Sequence, residues 1–265
     1  RRPAYTDGRG TTAALENGFL PHIASTVVDK SFSTGIKGNI GDWKVDFSNT
    51  FGRNSFDFTI ENTANATLGA STPREFNAGG FAFSQNTTNL DLSNFYEDVF
   101  EGLNVAFGAE YRLENYQLIA GEEASWASYD VNGYVVSAST PDDDKVYSYF
   151  GRLVPGGSQV FPGYRPENAT DANRNSYAGY LDVEADITED FLVSAALRYE
   201  DYNDCGNTFN WKVASRYKVT DNIALRAAAS TGFRAPDLHQ IYFNATSTLF
   251  VAGVPNEVGT FANNS

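Results

Sequence analysis

The stretch Tyr177-Ala178-Gly179-Tyr180-Leu181-Asp182-Val183-Glu184-Ala185-Asp186-Ile187 alternates. Tyr177, Gly179, Leu181, Val183, Ala185 and Ile187 are small or apolar, whereas Ala178, Tyr180, Asp182, Glu184 and Asp186 are largely polar. A period of two puts the sets on opposite faces of a β-strand, so this segment is predicted to separate two different environments.

The pattern spreads outward from there. Phe191, Val193, Ala195, Leu197 and Tyr199 oppose Ser194, Arg198 and Glu200. Phe209, Trp211, Val213, Tyr217 and Val219 oppose Asn210, Lys212, Arg216 and Lys218. Ile223, Leu225, Ala227 and Ala229 oppose Asn222, Arg226 and Ser230. Upstream, Leu103, Val105, Phe107, Ala109, Tyr111 and Leu113 alternate with Asn104, Gly108, Glu110, Arg112 and Glu114. A weaker pair comprises Phe32, Ile36 and Ile40, then Trp43, Val45, Phe47 and Phe51. These runs exceed the about 5–6 residues usual in a soluble sheet and match the about 9–11 a tilted strand needs to cross a bilayer.

The connections differ by side. Gly41-Asp42, Thr188-Glu189-Asp190 and Thr220-Asp221-Asn222 are tight-turn sequences. At the opposite ends, residues 53–79 and 119–174 are predicted as long loops, the second rich in Gly, Ser, Pro, Asn and Asp. Aromatics lie near the ends of the apolar faces: Tyr177, Phe191, Tyr199, Phe209, Tyr217 and Phe233. Short turns, long loops and aromatic girdles describe an all-β fold, an antiparallel transmembrane β-barrel segment of about eight strands. Lipid should meet Leu181, Val183, Val193, Leu197, Val213 and Leu225. Asp182, Glu184, Arg198 and Arg226 should face the interior, because a one-residue slip would put every charge into hydrocarbon. Long charged rows suit a wide lumen, so the sheet is expected to be open, with edges that pair with strands outside this chain.

Composition narrows the function. The chain has 265 residues with 19 Lys and Arg against 33 Asp and Glu, a net charge of −14. That excludes the basic footprint of a nucleic-acid binder. One cysteine forms no disulfide framework, and two histidines build no histidine-rich metal site. Aromatic content, with 20 Phe and 15 Tyr, excludes a disordered chain. The sequence contains no Met, so a processed product or part of something longer is expected. Neither His22 nor His239 has a nucleophile in a supporting motif, and residues 151–157 lack the Lys-Ser/Thr ending of a phosphate loop. No enzyme, cofactor or resident metal is expected. Asn65, Asn86, Asn168 and Asn244 each begin an Asn-X-Thr pattern, read here as chance.

Several strings resemble the central barrel of TonB-dependent outer-membrane receptors. The most specific is Ser230-Thr231-Gly232-Phe233-Arg234-Ala235-Pro236, followed by Asp237-Leu238. Ala196-Leu197-Arg198-Tyr199-Glu200-Asp201-Tyr202 and Asn104-Val105-Ala106-Phe107-Gly108-Ala109-Glu110-Tyr111-Arg112 are similar to strand sequences of that family. Gly18-Phe19-Leu20-Pro21 and Phe51-Gly52-Arg53-Asn54-Ser55-Phe56 also match. Cys205 departs from the pattern, at a loop tip. The resemblance implies a barrel of about 22 strands around a plug domain, of which residues 1–265 are a partial barrel domain without the plug.

It also implies uptake of a scarce nutrient (siderophore, cobalamin, saccharide or similar) by energy-coupled gated transport across the bacterial outer membrane. The implied partners are outer-membrane lipid, the plug and remaining strands, an inner-membrane energy-coupling complex acting through the plug, and a small or oligomeric nutrient ligand. A passive porin-like channel and a soluble β-sheet carbohydrate-binding domain are the alternatives. Within the 119–174 loop, Trp126, Tyr129, Tyr134, Tyr147, Tyr149 and Tyr164 pair an apolar face with a hydrogen-bonding edge. Trp126, Tyr129 and Tyr147 are the expected ligand anchors, and packing of the loop onto itself is the other role open to them. Glu110, Arg112, Arg198, Glu200 and Arg226 are expected to hold the plug, line a wet channel, or pair across strands. Asp142-Asp143-Asp144 reads as a solvated turn before a calcium site. Arg234 is expected at a structural corner where Pro236, lacking an N–H, ends the ladder.

Overall fold

The computed structural model describes residue 15 and residues 17–148, 151–251 and 254–262; Tyr149, counted among the loop aromatics, lies outside them. Eight strands form one antiparallel sheet in chain order: β1 (His22–Ile40), β2 (Trp43–Glu61), β3 (Glu75–Tyr96), β4 (Leu103–Ile119), β5 (Thr170–Thr188), β6 (Phe191–Tyr202), β7 (Gly206–Thr220) and β8 (Ile223–Ser230). β1 pairs only with β2, and β8 only with β7, so the described sheet is open at both edges. A separate ribbon joins β9 (Ala245–Val251) to β10 (Val254–Thr260). Two short helices, α1 (Glu123–Trp126) and α2 (Leu238–Tyr242), belong to the connections.

The register sorts the side chains as the alternation requires. Glu110 faces Ala178, Ala178 faces Glu200, and Arg198 faces Asn210. Cross-strand partners share a face, so these charges lie together. Arg226, opposite Arg216, lies on their side. The other face carries Leu181 against Leu197 and Leu197 against Trp211, then Val213 against Ala229. Phe32, Ile36, Ile40, Phe47, Leu197 and Leu225 on that face are exposed. An apolar face this wide is stable only against lipid.

The strands overrun the membrane. At 19 residues each, β1 and β2 extend roughly 65 Å along their axes at about 3.4 Å per residue, far beyond the about 25 Å apolar band. This corrects the predicted loops. Residues 53–61 and 75–79 are strand, leaving 62–74 as the connection. The long loop runs over 120–169, because β5 begins at Thr170. The β6–β7 connection on the same side is only residues 203–205. β3 has no counterpart among the segments read from the sequence, because its apolar residues change face: Leu90 and Leu92 point one way, Phe81 and Phe83 the other. β8 stops at Ser230, so Phe233, expected near the end of an apolar face, follows the strand.

Above the membrane the charged face acquires a core. Tyr116, Leu118, Tyr164 and Leu238 are buried together, with Phe58, Phe81, Phe83, Phe161, Tyr242 and Phe243 around them. Tyr116 and Leu118 come from β4, Tyr164 from the 120–169 loop and Leu238 from α2. Both connections therefore fold over the interior side of the sheet at its long-loop end. The loop sits close: Gly163 passes Ser125, where a Cβ would collide with the serine Oγ.

Candidate functional site

The interior wall carries a rising series of polar pairs. Near the short-turn end, Lys37 Nζ lies 2.8 Å from an Asp46 carboxylate oxygen, and Tyr180 donates to Asp91 Oδ1 at 2.6 Å. Higher, Arg112 Nη2 meets Glu110 Oε1 at 2.6 Å. Arg198 Nη2 meets Glu200 Oε1 at 2.7 Å and Glu110 Oε1 at 3.5 Å. The small Ala178 on β5 separates Glu110 from Glu200, so Arg198 can reach across it. Four of the five expected interior charges thus form one network. Arg226 stands apart beside the like charge of Arg216, both exposed.

At the top of this wall lies a polar cavity of about 360 Å³. Arg112, Glu114, Arg174 and Glu200 line it from the strands, and Arg234 and Asp237 from the segment after β8. Arg234 therefore borders the cavity, and Pro236 lies outside the ladder as expected. Arg174 is almost wholly buried and donates through Nε to both Asp204 oxygens, at 2.9 and 2.8 Å. Burial alone would raise the Asp204 carboxyl, but the hydrogen bond and charge of Arg174 outweigh it and hold the group below the usual carboxylate range. Alternating acids and arginines suit a ligand carrying polar groups of either sign.

The expected anchors are placed differently from one another. Tyr129 is buried and donates to Glu123 Oε1 at 3.0 Å; burial first, then that carboxylate, push its phenol up to about 12. Trp126 is half-buried and donates through Nε1 to the Gly121 carbonyl at 3.3 Å. Tyr147 is exposed, as is Tyr134 at 73%. The turn bearing Tyr134 is shaped by Asp130 Oδ1, which accepts from the Asn132 and Tyr134 amides. Asp142 is taken by Lys145 at 2.7 Å, and among the described residues no group of His, Cys, Asp and Glu could hold a metal ion.

The family model of the TonB-dependent receptor-like β-barrel matches residues 2–264. The chain belongs to the TonB-dependent receptors. The vitamin B12 transporter BtuB of Vibrio cholerae is 23% identical over 171 residues, covering 60% of this chain and 28% of that protein. The siderophore receptor PirA of Acinetobacter baumannii superposes with a TM-score of 0.54 at 12% identity, covering 90% of this chain and 30% of that one. The siderophore receptor PiuA of the same organism gives 0.48 at 15% identity, over 86% of this chain and 33% of that one. The chain thus spans about a third or less of the length of these relatives.

The residues that hold this receptor's crown together escaped sequence reasoning. Asn65 is fully buried: its Nδ2 donates to the Ala124 and Ala127 carbonyls at 2.9 and 2.8 Å, and its Oδ1 accepts from Thr67 N and Oγ1. It bolts the 62–74 connection to α1. Asn168 Nδ2 donates to Asn244 Oδ1 at 2.5 Å, and Asn244 Nδ2 returns a bond to the Asn168 carbonyl. Asn86 exchanges amide bonds with Asn49. All four asparagines of the Asn-X-Thr patterns are therefore cross-links. The signal was the recurring Asn-X-Thr pattern itself, three times in the connections and once, at Asn86, within β3.

Proposed function

We propose that this chain is the central wall and part of the extracellular crown of a receptor in the bacterial outer membrane that takes up a scarce nutrient by energy-coupled gated transport. Residues 1–265 are read as a partial barrel domain. The plug, the remaining strands and the inner-membrane complex that pulls on the plug are the partners this reading requires. The observation that carries it is the union of an ion-paired interior wall with a packed crown folded over the same face. A passive pore needs an open mouth, and a crown folded over the interior wall supports gated passage instead. The nutrient class is a siderophore, cobalamin, saccharide or similar polar compound. Tyr147 and Trp126 on the 120–169 loop are the first contacts, and Tyr129 shapes the loop that presents them.

Uptake of the native nutrient by cells carrying the whole receptor tests this reading. Removing the inner-membrane energy-coupling complex should abolish uptake while leaving surface binding intact. Uptake that persists without the complex would establish a passive channel instead. Tyr147→Ala should weaken surface binding by about 1 kcal/mol or more, roughly fivefold. Deleting the whole loop is a poor test, since Phe161 and Tyr164 leave the crown core with it.

A further inference from the structure

The polar cavity beneath the segment after β8 has balanced charge and one uncommitted cation. Arg112, Arg174 and Arg234 line it against Glu114, Glu200 and Asp237. Five of these six groups are already engaged. Arg112 pairs with Glu110, Glu200 with Arg198, and Arg174 with Asp204. Glu114 lies 3.7 Å from Arg174 Nη1, and Asp237 Oδ1 accepts from the His239 amide at 2.8 Å. Arg234 makes no hydrogen bond or ion pair among the described residues.

Apolar ring surface borders the same space. The chain leaves the ladder at Ser230, and Phe233 then lines the cavity, 45% exposed and with its ring centre 6.1 Å from that of Tyr202. Phe83 lines it from β3. Arg112 Nε is buried without a hydrogen-bond partner among the described residues, a donor left without an acceptor at a cost. At about 360 Å³, the space falls within the about 300–1,000 Å³ range of small-molecule pockets.

We infer that this cavity binds one sugar unit of a neutral saccharide. A ligand of fixed charge gains little from such a wall: an anion meets three carboxylates and a cation three guanidiniums, and like charges brought together are costly. A hydroxyl has no such conflict, because it donates to a carboxylate and accepts from a guanidinium. A sugar ring brings several hydroxyls on one stiff frame, which limits the entropy lost on binding. Its C–H face packs on Phe233, and its oxygens take the free donors of Arg234. On the uptake reading, which gives the site its meaning but not its chemistry, this saccharide is the nutrient itself, held below its first contacts on Tyr147 and Trp126.

Isothermal titration calorimetry on the whole receptor in detergent, where no energy coupling operates, tests this. The probes are neutral trisaccharides of glucose, of galactose and of N-acetylglucosamine, each beside counterparts in which one sugar is a uronic acid or carries a free amine. At least one neutral trisaccharide should bind about tenfold or more tightly than both of its charged counterparts. Phe233→Ala and Arg234→Met should each weaken that binding about tenfold. Arg216→Met, which removes an interior cation outside the cavity, should leave it unchanged. Heat-modifiable migration checks folding, and either cavity variant suffices if the other misfolds. Absence of binding by every neutral probe, equal or tighter binding of a charged counterpart, or unchanged affinity in a folded cavity variant would overturn the assignment. Saccharide binding that holds while uptake proves independent of the energy-coupling complex would overturn the transport reading alone.

Discussion

Below the row through Phe51 and Leu113 the sheet turns Phe47, Leu92, Phe107, Leu181 and Leu197 toward lipid and keeps charges inside. Above that row it turns Phe56, Phe81, Phe83, Tyr116 and Leu118 inward, against the crown, and shows Arg53, Ser84, Asn115 and Gln117 outward. The backbone ladder runs through the boundary on β2, β3 and β4, while the amphipathic phase reverses. Side chains follow whatever medium each face meets: hydrocarbon outside and a wet lumen inside below, water outside and a packed core inside above. A single strand thus carries two folding codes in opposite phase.

The largest expected effect comes from breaking the lower half. Leu197→Arg or Val193→Arg should cost about 2–4 kcal/mol near the midplane, measured by denaturant unfolding in lipid. Ser84→Arg, on the same outward face above the boundary, should stay within about 0.5 kcal/mol. Comparable losses at both sites would erase the distinction between the halves.

Next comes the bolt of the upper half. Asn65→Ala strands two carbonyls and should cost the crown about 2–3 kcal/mol. Hydrogen exchange should rise in residues 62–74 and 120–169 while β5–β7 stay protected; a uniform rise would mean that crown and band unfold as one unit.

A smaller effect is pH-dependent. The Asp204 carboxyl is held low by Arg174, so the pair stabilises the β6–β7 tip fully above the unfolded carboxylate value of 3.8. That stabilisation fades as pH falls through the still lower folded value. Amide exchange at residues 203–206 should accelerate below about pH 4, and Asp204→Asn should flatten that dependence.

The smallest effect sharpens the view of the crown as a true core. The Tyr116 hydroxyl is buried without a hydrogen-bond partner among the described residues, and burial, then Tyr164 and Asp237, push it up to about 12. Tyr116→Phe should be neutral or stabilise by up to about 1 kcal/mol. A clear loss would mean that the hydroxyl serves a second conformation of the crown.

The phase reversal also explains what could be read from the sequence. β5 through β8 keep one apolar phase over most of their length, and their period announced both strand and lipid face. β3 splits its apolar residues between phases around Gln85-Asn86-Thr87-Thr88-Asn89, so a period search finds two fragments too short to trust. That Glu110, Arg112, Arg198 and Glu200 share one face followed from the period; which of them pair is seen only in the structure. The burial of Tyr129 did not follow from it, because it depends on Glu123 and on Thr67 Oγ1, which accepts from the Tyr129 amide across the loops. Contacts between loops leave no period in either partner.

The edges of β1 and β8, unpaired among the described residues, bear on how such a wall is made. Each edge presents a column of N–H and C=O groups, and every one left unmatched within hydrocarbon costs several kcal/mol. A hairpin from this sheet therefore cannot wait alone in the bilayer for its neighbours. Insertion and ring closure must be a single event, or proceed against a surface that lends hydrogen bonds to the growing margin. Such a template would have to hold β1 until the strand destined to adjoin it arrives.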